Sequence, residues 1–394
     1  MNALERFRAK TRTWLEENCP LSMRTPMPEE ERVWGGRQPK FENPDSKIWF
    51  DRMVAQAWTV PAWPKEYGGG GLSREESIIL GEEMGRLKCR VPLFSFGISM
   101  LGPVLLKYGT PEQKAKHLPP IARGELRWCQ GYSEPGAGSD LASLKTRAED
   151  KGNHYLVNGQ KVWTSYAHLA DWIFCLVRTD TTTKHAGISF LLFDMTTPGV
   201  ETRPIALISG GSFFCETFFE DVIVPKDQLV GKLNGGWDIA KQLLQHERGM
   251  IAQIGRAIGG KVPPVYKVAK KYLGDENGKI DDPALRDAVV QHTMNDRAFD
   301  LTIKRAAQES EAGTASGGAS SMFKFYGTEQ NKKKFELIMK CVGTNGLGWE
   351  GDEFDDDELM ICRTWLRSKG NSIEGGTSEI QLNVIAKRVL ELPD

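Results

Sequence analysis

The sequence predicts an α+β protein: an N-terminal all-α domain, a middle antiparallel β domain and a C-terminal four-helix bundle. Three changes of texture predict it. Apolar residues recur with helical period from residue 1 to about 125, short β-type runs replace them over 126–234, and helical period returns over 235–394. A chain of 394 residues is long enough for two or three domains.

Element by element, "MNALERFRAKTRTWLEENCP" reads as an amphipathic helix and lacks the apolar segment of a secretory signal. In "SREESIILGEEMGRLKCR", Ser73 starts a helix and Glu76 completes a capping box. "YGTPEQKAKHLPPIARGE" supplies a short helix bounded by Gly109-Thr110-Pro111 and by Pro119-Pro120. The β-type runs are "HYLVNGQKVWTS", "DWIFCLVRTD", "ISFLLFDM" and "FCETFFEDVIV", and their spacing suggests an antiparallel sandwich or barrel. Within the first, Val157-Asn158-Gly159-Gln160 reads as a tight hairpin turn, because Asn-Gly accepts positive φ. Helices return in "GGWDIAKQLLQHERGMIAQIGRAIGG", "PALRDAVVQHTMNDRAFDLTIKRAAQESEAG", "SMFKFYGTEQNKKKFELIMKCV" and "SEIQLNVIAKRVL". "AGTASGG" reads as a loop, and the acidic run Asp352 to Glu358 as solvated surface.

Composition narrows the function. A formal net charge of -1 gives no field for nucleic acid, and no apolar run approaches the roughly 20 residues that span a bilayer. Seven cysteines are scattered singly, without C-x-x-C, so a reducing cytoplasm is the expected compartment. The six histidines lack metal spacing, and no metal is expected. Gly136-Ala137-Gly138 has no third glycine and no βαβ context, which disfavours a Rossmann enzyme.

The unusual stretch is "YSEPGAGSDLASLKT". Pro135-Gly136-Ala137-Gly138 buries little and suits a turn whose amides approach a ligand, with the hydroxyls of Ser133 and Ser139 beside it; alone, it reads more readily as a surface loop. Together with "NGQKVWTS", "PAWPKEYGGGGLS", "GTPEQKAKHLPPIARGE" and "IEGGTSEIQ", in that family's order along nearly the whole chain, it resembles the acyl-CoA dehydrogenase family. The resemblance implies FAD as cofactor, desaturation of an acyl-CoA thioester between Cα and Cβ, and electron delivery to an electron-transfer flavoprotein. It places Ser133 and Ser165 at the flavin's polar edge, Trp163 over one face of the ring, and Tyr132 and Thr164 beside them. Gly138 and Ser139 line the pyrophosphate and the entry of the substrate's pantetheine, while Thr377 and Ser378 are flavin contacts at a helix start that Ser378 and Gln381 close as a capping box.

The catalytic base departs from the common pattern. The family's usual Y-E-G-T carries its glutamate directly before Gly-Thr; here Gly375 holds that position and Glu374 falls on the tyrosine. The Gly375 N–H can still polarise the thioester carbonyl, with Gly376 beside the substrate. On the helix "DIAKQLLQHERGMIAQIGRAI", Ala240, Leu243, Leu244, Ile251, Ile254 and Ile258 form an apolar stripe with Glu247 in its middle and Arg248 to its side. A carboxylate there is either a base or half of a buried Glu–Arg pair. A branch of the family that handles branched or bulky acyl chains carries its base on this helix, directly before an arginine; the resemblance therefore assigns the base to Glu247, lays Gln245 to Arg248 along the acyl-CoA, and leaves Glu374 bracing its loop or facing solvent.

Two segments by which family tetramers lend FAD contacts to a neighbour are degraded. No R-x-T-F match lies near "AKKYLGDENGKIDDPALRD", and Lys340 to Gly346 has lost the glutamine and one glycine of Q-x-x-G-G-x-G. Such loss is expected of one subunit of an α2β2 tetramer with a paralogous partner. The C-terminal "IEGGTSEIQLNVIAKRVL" and the placement of the base resemble the catalytic subunit of bacterial steroid side-chain acyl-CoA dehydrogenases, which are α2β2 tetramers of this kind, and this resemblance points to a bulky substrate. An acyl-CoA oxidase, or a non-catalytic subunit of a heteromer, remains the alternative.

Overall fold

The computed structural model describes residues 2–244, 262–312 and 319–393. The chain divides into two compact units, one of residues 1–205 and 213–243, the other of 206–212 and 244–394.

The first unit opens with five helices: α1 (Ala3–Asn18), α2 (Pro44–Ala55), α3 (Arg74–Arg86), α4 (Gly102–Tyr108) and α5 (Pro111–Ala122). Asn2 and Glu5 cap α1 reciprocally, and the expected Ser73–Glu76 box starts α3. Leu15, Met23, Trp49, Met53 and Leu80 form the core between α1, α2 and α3. One boundary differs from expectation. Pro119 and Pro120 lie inside α5, not after it. Each proline removes a helix N–H at a cost of about 3 kcal/mol in an isolated helix. Complete burial of Leu118 and Ile121 offsets this, and the Arg123 amide closes the last turn on the Pro119 carbonyl at 3.0 Å.

Eight strands follow: β1 (Trp128–Gly131), β2 (Arg147–Asp150), β3 (His154–Ser165), β4 (Trp172–Arg178), β5 (Ile188–Asp194), β6 (Val200–Ile205), β7 (Phe214–Pro225) and β8 (Leu229–Val230). They form one sheet in the order β6-β7-β3-β2-β4-β5-β8, with β1 also on β4. The sequence leads one to expect an antiparallel sheet, but β1 and β2 both run parallel to β4, and the sheet is mixed. β4 and β5 are buried along nearly their whole length, as central strands covered on both faces are. The sheet and helices share a unit through contacts such as Gln113, whose Nε2 donates to the carbonyls of Asp227 and Leu229 at 2.6 and 2.8 Å.

The Asn158-Gly159 turn is overturned. β3 runs straight through it against β7, with a bulge between Val157 and Gly159. Asn158 exchanges hydrogen bonds with the Asp221 side chain and amide, both at 2.9 Å, and β2 comes so close that a Cβ on Gly159 would sit 2.7 Å from the Thr146 Cα. Positive φ is used here to admit a neighbouring strand. The real turn into β3 is formed at Gly152, where Lys151 N–H bonds the His154 carbonyl at 3.0 Å.

A helix α6 starts at 236 and is described through 244, with Ile239, Ala240 and Leu243 buried. In the second unit come α7 (Val265–Leu273), the two-residue strands β9 (Asp275–Glu276) and β10 (Lys279–Ile280), α8 (Pro283–Glu311), α9 (Ala319–Val342), α10 (Asp356–Ser368) and α11 (Ser378–Arg388). Val268, Ala269, Val289, Phe335, Ile338 and Ile361 are central to its core. The sequence reading missed α7 and α10. The acidic run Asp352–Glu358 is not merely solvated: Asp355 caps α10, and buried Glu358 accepts from Tyr272 Oη at 2.9 Å and Asn345 Nδ2 at 2.8 Å. Negative side chains suit the positive end of a helix, which the bare charge pattern conceals. Of the "AGTASGG" loop, 313–318 lie outside the described residues.

Candidate active site

In the first unit, the segment 132–146 leaves β1 and folds over a buried ion pair. Glu134 and Ala137 exchange backbone hydrogen bonds at 3.0 Å, which closes the turn at Pro135-Gly136. The Glu134 carboxylate accepts from the amides of Lys145 and Thr146 at 2.6 and 2.8 Å and from Lys161 Nζ at 2.8 Å. Lys161 is fully buried and also donates to the Tyr132 carbonyl at 3.0 Å. Burial pushes the Glu134 carboxyl up, but the Lys161 charge and these donors outweigh it, and the group sits below the usual carboxylate range. Arg178 holds the far side of the segment, donating to the carbonyls of Ala142 and Leu144 at 2.6–3.2 Å. Sequence reasoning missed all three charged residues; the one available signal was a lysine on the inward phase of a strand.

What this scaffold leaves outward is small and polar. Gly136, Gly138 and Ser139 are exposed, and Ser133 is half-buried. Neither glycine has a positive φ, and a Cβ on either would meet nothing within 4 Å. The fold itself does not require glycine at these two positions, and the space above both is open.

Trp163 is the most telling residue of the strand. It sits in a second β3 bulge, between Lys161 and Thr164, with φ 61° and 54% exposure. A large aromatic in the left-handed region is strained, and here the bulge turns the indole outward while Phe214 meets its edge at 5.9 Å. Ser165 follows, half-buried; neither its hydroxyl nor that of Ser133 is hydrogen-bonded among the described residues. Thr164 differs. It is fully buried, its Oγ1 without a hydrogen-bond partner among the described residues, so it offers a ligand only its main chain. Tyr132 is buried as well, edge-on to Phe174 at 6.3 Å.

In the second unit, the "SIEGGTSEIQ" turn is held from beneath. Gly375 and Gly376 both have left-handed φ, 67° and 90°. The buried Gln381 Nε2 donates to the Gly375 carbonyl at 3.1 Å and lies where a Cβ on Gly376 would come within 2.4 Å of it. The Gly375 N–H makes no hydrogen bond among the described residues. The Glu374 carboxylate is engaged by Arg367 at 2.6 Å and Asn371 at 2.5 Å. The expected Ser378–Gln381 capping box is replaced. Thr377 is the N-cap of α11, bonding the Ile380 amide at 3.2 Å, and Ser378 Oγ turns to Glu329 at 2.8 Å. Lys324 on α9 is fully buried; burial pulls its ammonium below the ordinary lysine range, against Glu374, Glu329 and Glu379. Gln245, His246, Glu247 and Arg248 lie outside the described residues.

These features fit a flavin. An outward indole, two uncommitted hydroxyls and a bare glycine segment on a rigid ionic base suit a planar, phosphate-bearing cofactor. The family comparisons agree along the whole chain: models of the acyl-CoA dehydrogenase N-terminal, middle and C-terminal domains match residues 3–125, 129–222 and 234–390. The chain belongs to the acyl-CoA dehydrogenase family, whose members are FAD-dependent oxidoreductases. Acyl-CoA dehydrogenase IpdE1 of Mycobacterium tuberculosis is 36% identical over 397 residues, covering 100% of this chain and 99% of its own. The solved Tcur3481-Tcur3483 steroid ACAD superposes with a TM-score of 0.77 at 30% identity, over 99% of this chain and 98% of its own. The ChsE4-ChsE5 complex from Mycobacterium tuberculosis gives 0.73 at 28% identity, over 100% and 98%. Among the described residues, no helix is long and apolar enough to cross a membrane.

Proposed function

We propose that this acyl-CoA dehydrogenase oxidises a bulky, steroid side-chain-like or branched acyl-CoA to the trans-2-enoyl-CoA, with Glu247 as the base. The carrying observation is at the glycine turn. Gly375 stands where the usual base would be, and the adjacent Glu374 is committed to Arg367 and Asn371. A carboxylate held by a guanidinium and an amide braces a loop and makes a poor base.

In this reading the Gly375 N–H bonds the thioester carbonyl and acidifies the α carbon, with Gly376 leaving room for the thioester. Glu247 takes the α proton, and Gln245 and Arg248 lie along the acyl-CoA. FAD, when bound, would supply the hydride acceptor for the β hydrogen. Ser133, Ser165, Tyr132, Thr164, Thr377 and Ser378 would hold and polarise the cofactor, Trp163 would cover one ring face and exclude water there, and Gly138 and Ser139 would admit the pyrophosphate and pantetheine. The division 1–125, 126–234 and 235–394 is taken as the functional one.

The bulky substrate is supported by likeness to a protein described as a steroid ACAD. A heteromeric α2β2 assembly with a paralogue is supported by the degraded Lys340–Gly346 segment, where Asn345 is spent on Glu358, and by a relative solved as a two-component complex. Electron-transfer flavoprotein is the acceptor and the cytoplasm the compartment.

The test is anaerobic bleaching of the flavin by CoA thioesters from butyryl to steroid side chains. Glu247→Gln should slow reduction by at least about 10²-fold, the low end of a positioned base's contribution. Glu374→Gln should stay within roughly tenfold, about 1.4 kcal/mol of barrier. The reverse pattern moves the base back into "SIEGGTSEIQ".

A further inference from the structure

We propose that Gln381 is a positioning residue for the acyl-CoA reaction: its buried amide clamps the glycine turn and keeps the Gly375 N–H aimed at the thioester carbonyl. This rests on the reading of Gly375 as that carbonyl's hydrogen-bond donor.

Two successive glycines resist rotation poorly. Without Cβ atoms, Gly375 and Gly376 can take either sign of φ at little cost, and the peptide planes beside them can turn over. Here both are left-handed, with φ 67° and 90°. A donor built on such a turn needs groups outside the two residues to fix its direction.

Gln381 supplies the fixing on one side. It lies in the first turn of α11, and helix side chains lean toward the N-terminus, which carries its amide back over the glycines. Its own main chain is held, the N–H bonding the Thr377 carbonyl at 2.9 Å. Nε2 donates to the Gly375 carbonyl at 3.1 Å and reaches the Gly376 carbonyl at 3.5 Å. The opposite orientation of the amide would set its oxygen against both carbonyls. Shape acts in the same sense: a Cβ on Gly376 would sit 2.4 Å from Nε2, so the amide occupies the space a side chain would need. On the other side, the Glu374 N–H bonds the Gly370 carbonyl at 3.0 Å and its carboxylate is held by Arg367 and Asn371. Gly375 is thus gripped from both directions, while its own N–H makes no hydrogen bond among the described residues.

Stability alone accounts poorly for a glutamine here. The side chain is completely buried, and its Oε1 has no hydrogen-bond partner among the described residues. A buried acceptor left unpaired is destabilising, and an apolar side chain of the same length would avoid that loss. What the amide adds is a directed N–H on the two carbonyls. As the α proton leaves, negative charge builds on the thioester oxygen, and a donor stabilises it fully only if it is already in line. Turning a free peptide into place during the reaction would forfeit part of that stabilisation.

The test uses the full-length, flavin-loaded protein and the trans-2-enoyl-CoA of whichever thioester bleaches the flavin fastest, isotopically labelled at its thioester carbonyl. Infrared difference spectra should place the bound carbonyl stretch at lower wavenumber than in water. In Gln381→Met, which keeps the length but has no donor, at least about half of that downshift should be lost, and flavin reduction at saturating substrate should slow by at least about tenfold, less than the roughly 10²–10³-fold that removing a whole oxyanion-hole donor costs. Affinity for the enoyl-CoA should stay within about threefold, so the loss falls on kcat and not on binding. Gln381→Leu gives the same reading should the methionine variant fail to fold with its flavin. A full downshift or an unslowed reduction in either flavin-loaded variant overturns the proposal and leaves the Gly375 reading standing. A carbonyl unshifted in the unsubstituted protein refutes the Gly375 reading itself, and the role of Gln381 with it.

Discussion

Glu134 and Lys161 are 9% and 0% exposed at the side chain, and each is the other's compensation. Removing one leaves a buried charge alone, which costs about 3–5 kcal/mol. Lys161→Met should therefore lower the denaturant midpoint sharply and release flavin, because the 132–146 segment loses its base. Adding Glu134→Gln should recover part of the loss, measured by urea titration of both variants. Trp163 makes the opposite prediction. Its indole is 54% exposed, and its φ of 61° already carries strain. Trp163→Ala should leave stability within about 0.5 kcal/mol, as surface changes usually do. Flavin retention should nevertheless weaken by about tenfold, roughly 1.4 kcal/mol, when measured by ultrafiltration and absorbance. An unchanged flavin content would separate the indole from the cofactor.

At the scale of elements, α5 docks on the sheet through His117, which packs edge-on against Trp128 and Trp172 at 5.5 and 5.0 Å and meets Gln228 Oε1 at 3.1 Å. Burial pulls the imidazole down to about 4, partly opposed by the Gln228 bond. The unfolded chain, with an ordinary value near 6.5, takes up this proton first. Stability from this site is thus complete above about pH 6.5 and is lost as pH falls toward 4, by at most about 3 kcal/mol. His117→Gln should flatten that limb of the stability–pH curve, read by thermal melts between pH 4 and 7. An equally steep limb in the variant assigns the acid sensitivity elsewhere. α5 also marks how far local signals reach: its start at Gly109-Thr110-Pro111 was legible in the sequence, whereas the Thr110 cap and the passage through Pro119-Pro120 were not. Proline reports the lost N–H, but not the burial that outweighs it.

For the whole molecule, the departure of the segments near 269–287 and 340–346 from the family's FAD-lending patterns leads to a prediction about assembly. Expressed alone, the chain should hold flavin weakly or form poorly defined oligomers, and co-expression with a paralogue should give a stable tetramer, assayed by light scattering and the flavin-to-protein ratio. A homotetramer with one FAD per chain would refute this.

The sequence by itself determined the family, the α–β–α order and the helix starts at Ser73 and Thr110, because each depends on spacing within a few residues or on motifs read in order. It also marked the glycine pair and the absence of the usual base from it. Only the tertiary structure decided that Asn158-Gly159 is a bulge, that Thr377 rather than Ser378 caps α11, that Glu374 is bound to Arg367, and that Lys161 lies buried against Glu134. A glycine's positive φ or a charged side chain looks the same in sequence whatever comes to meet it. The strand crowding Gly159, the carboxylate drawing Ser378 away and the cation neutralising Glu134 all come from other elements of the fold, and their positions are set by packing.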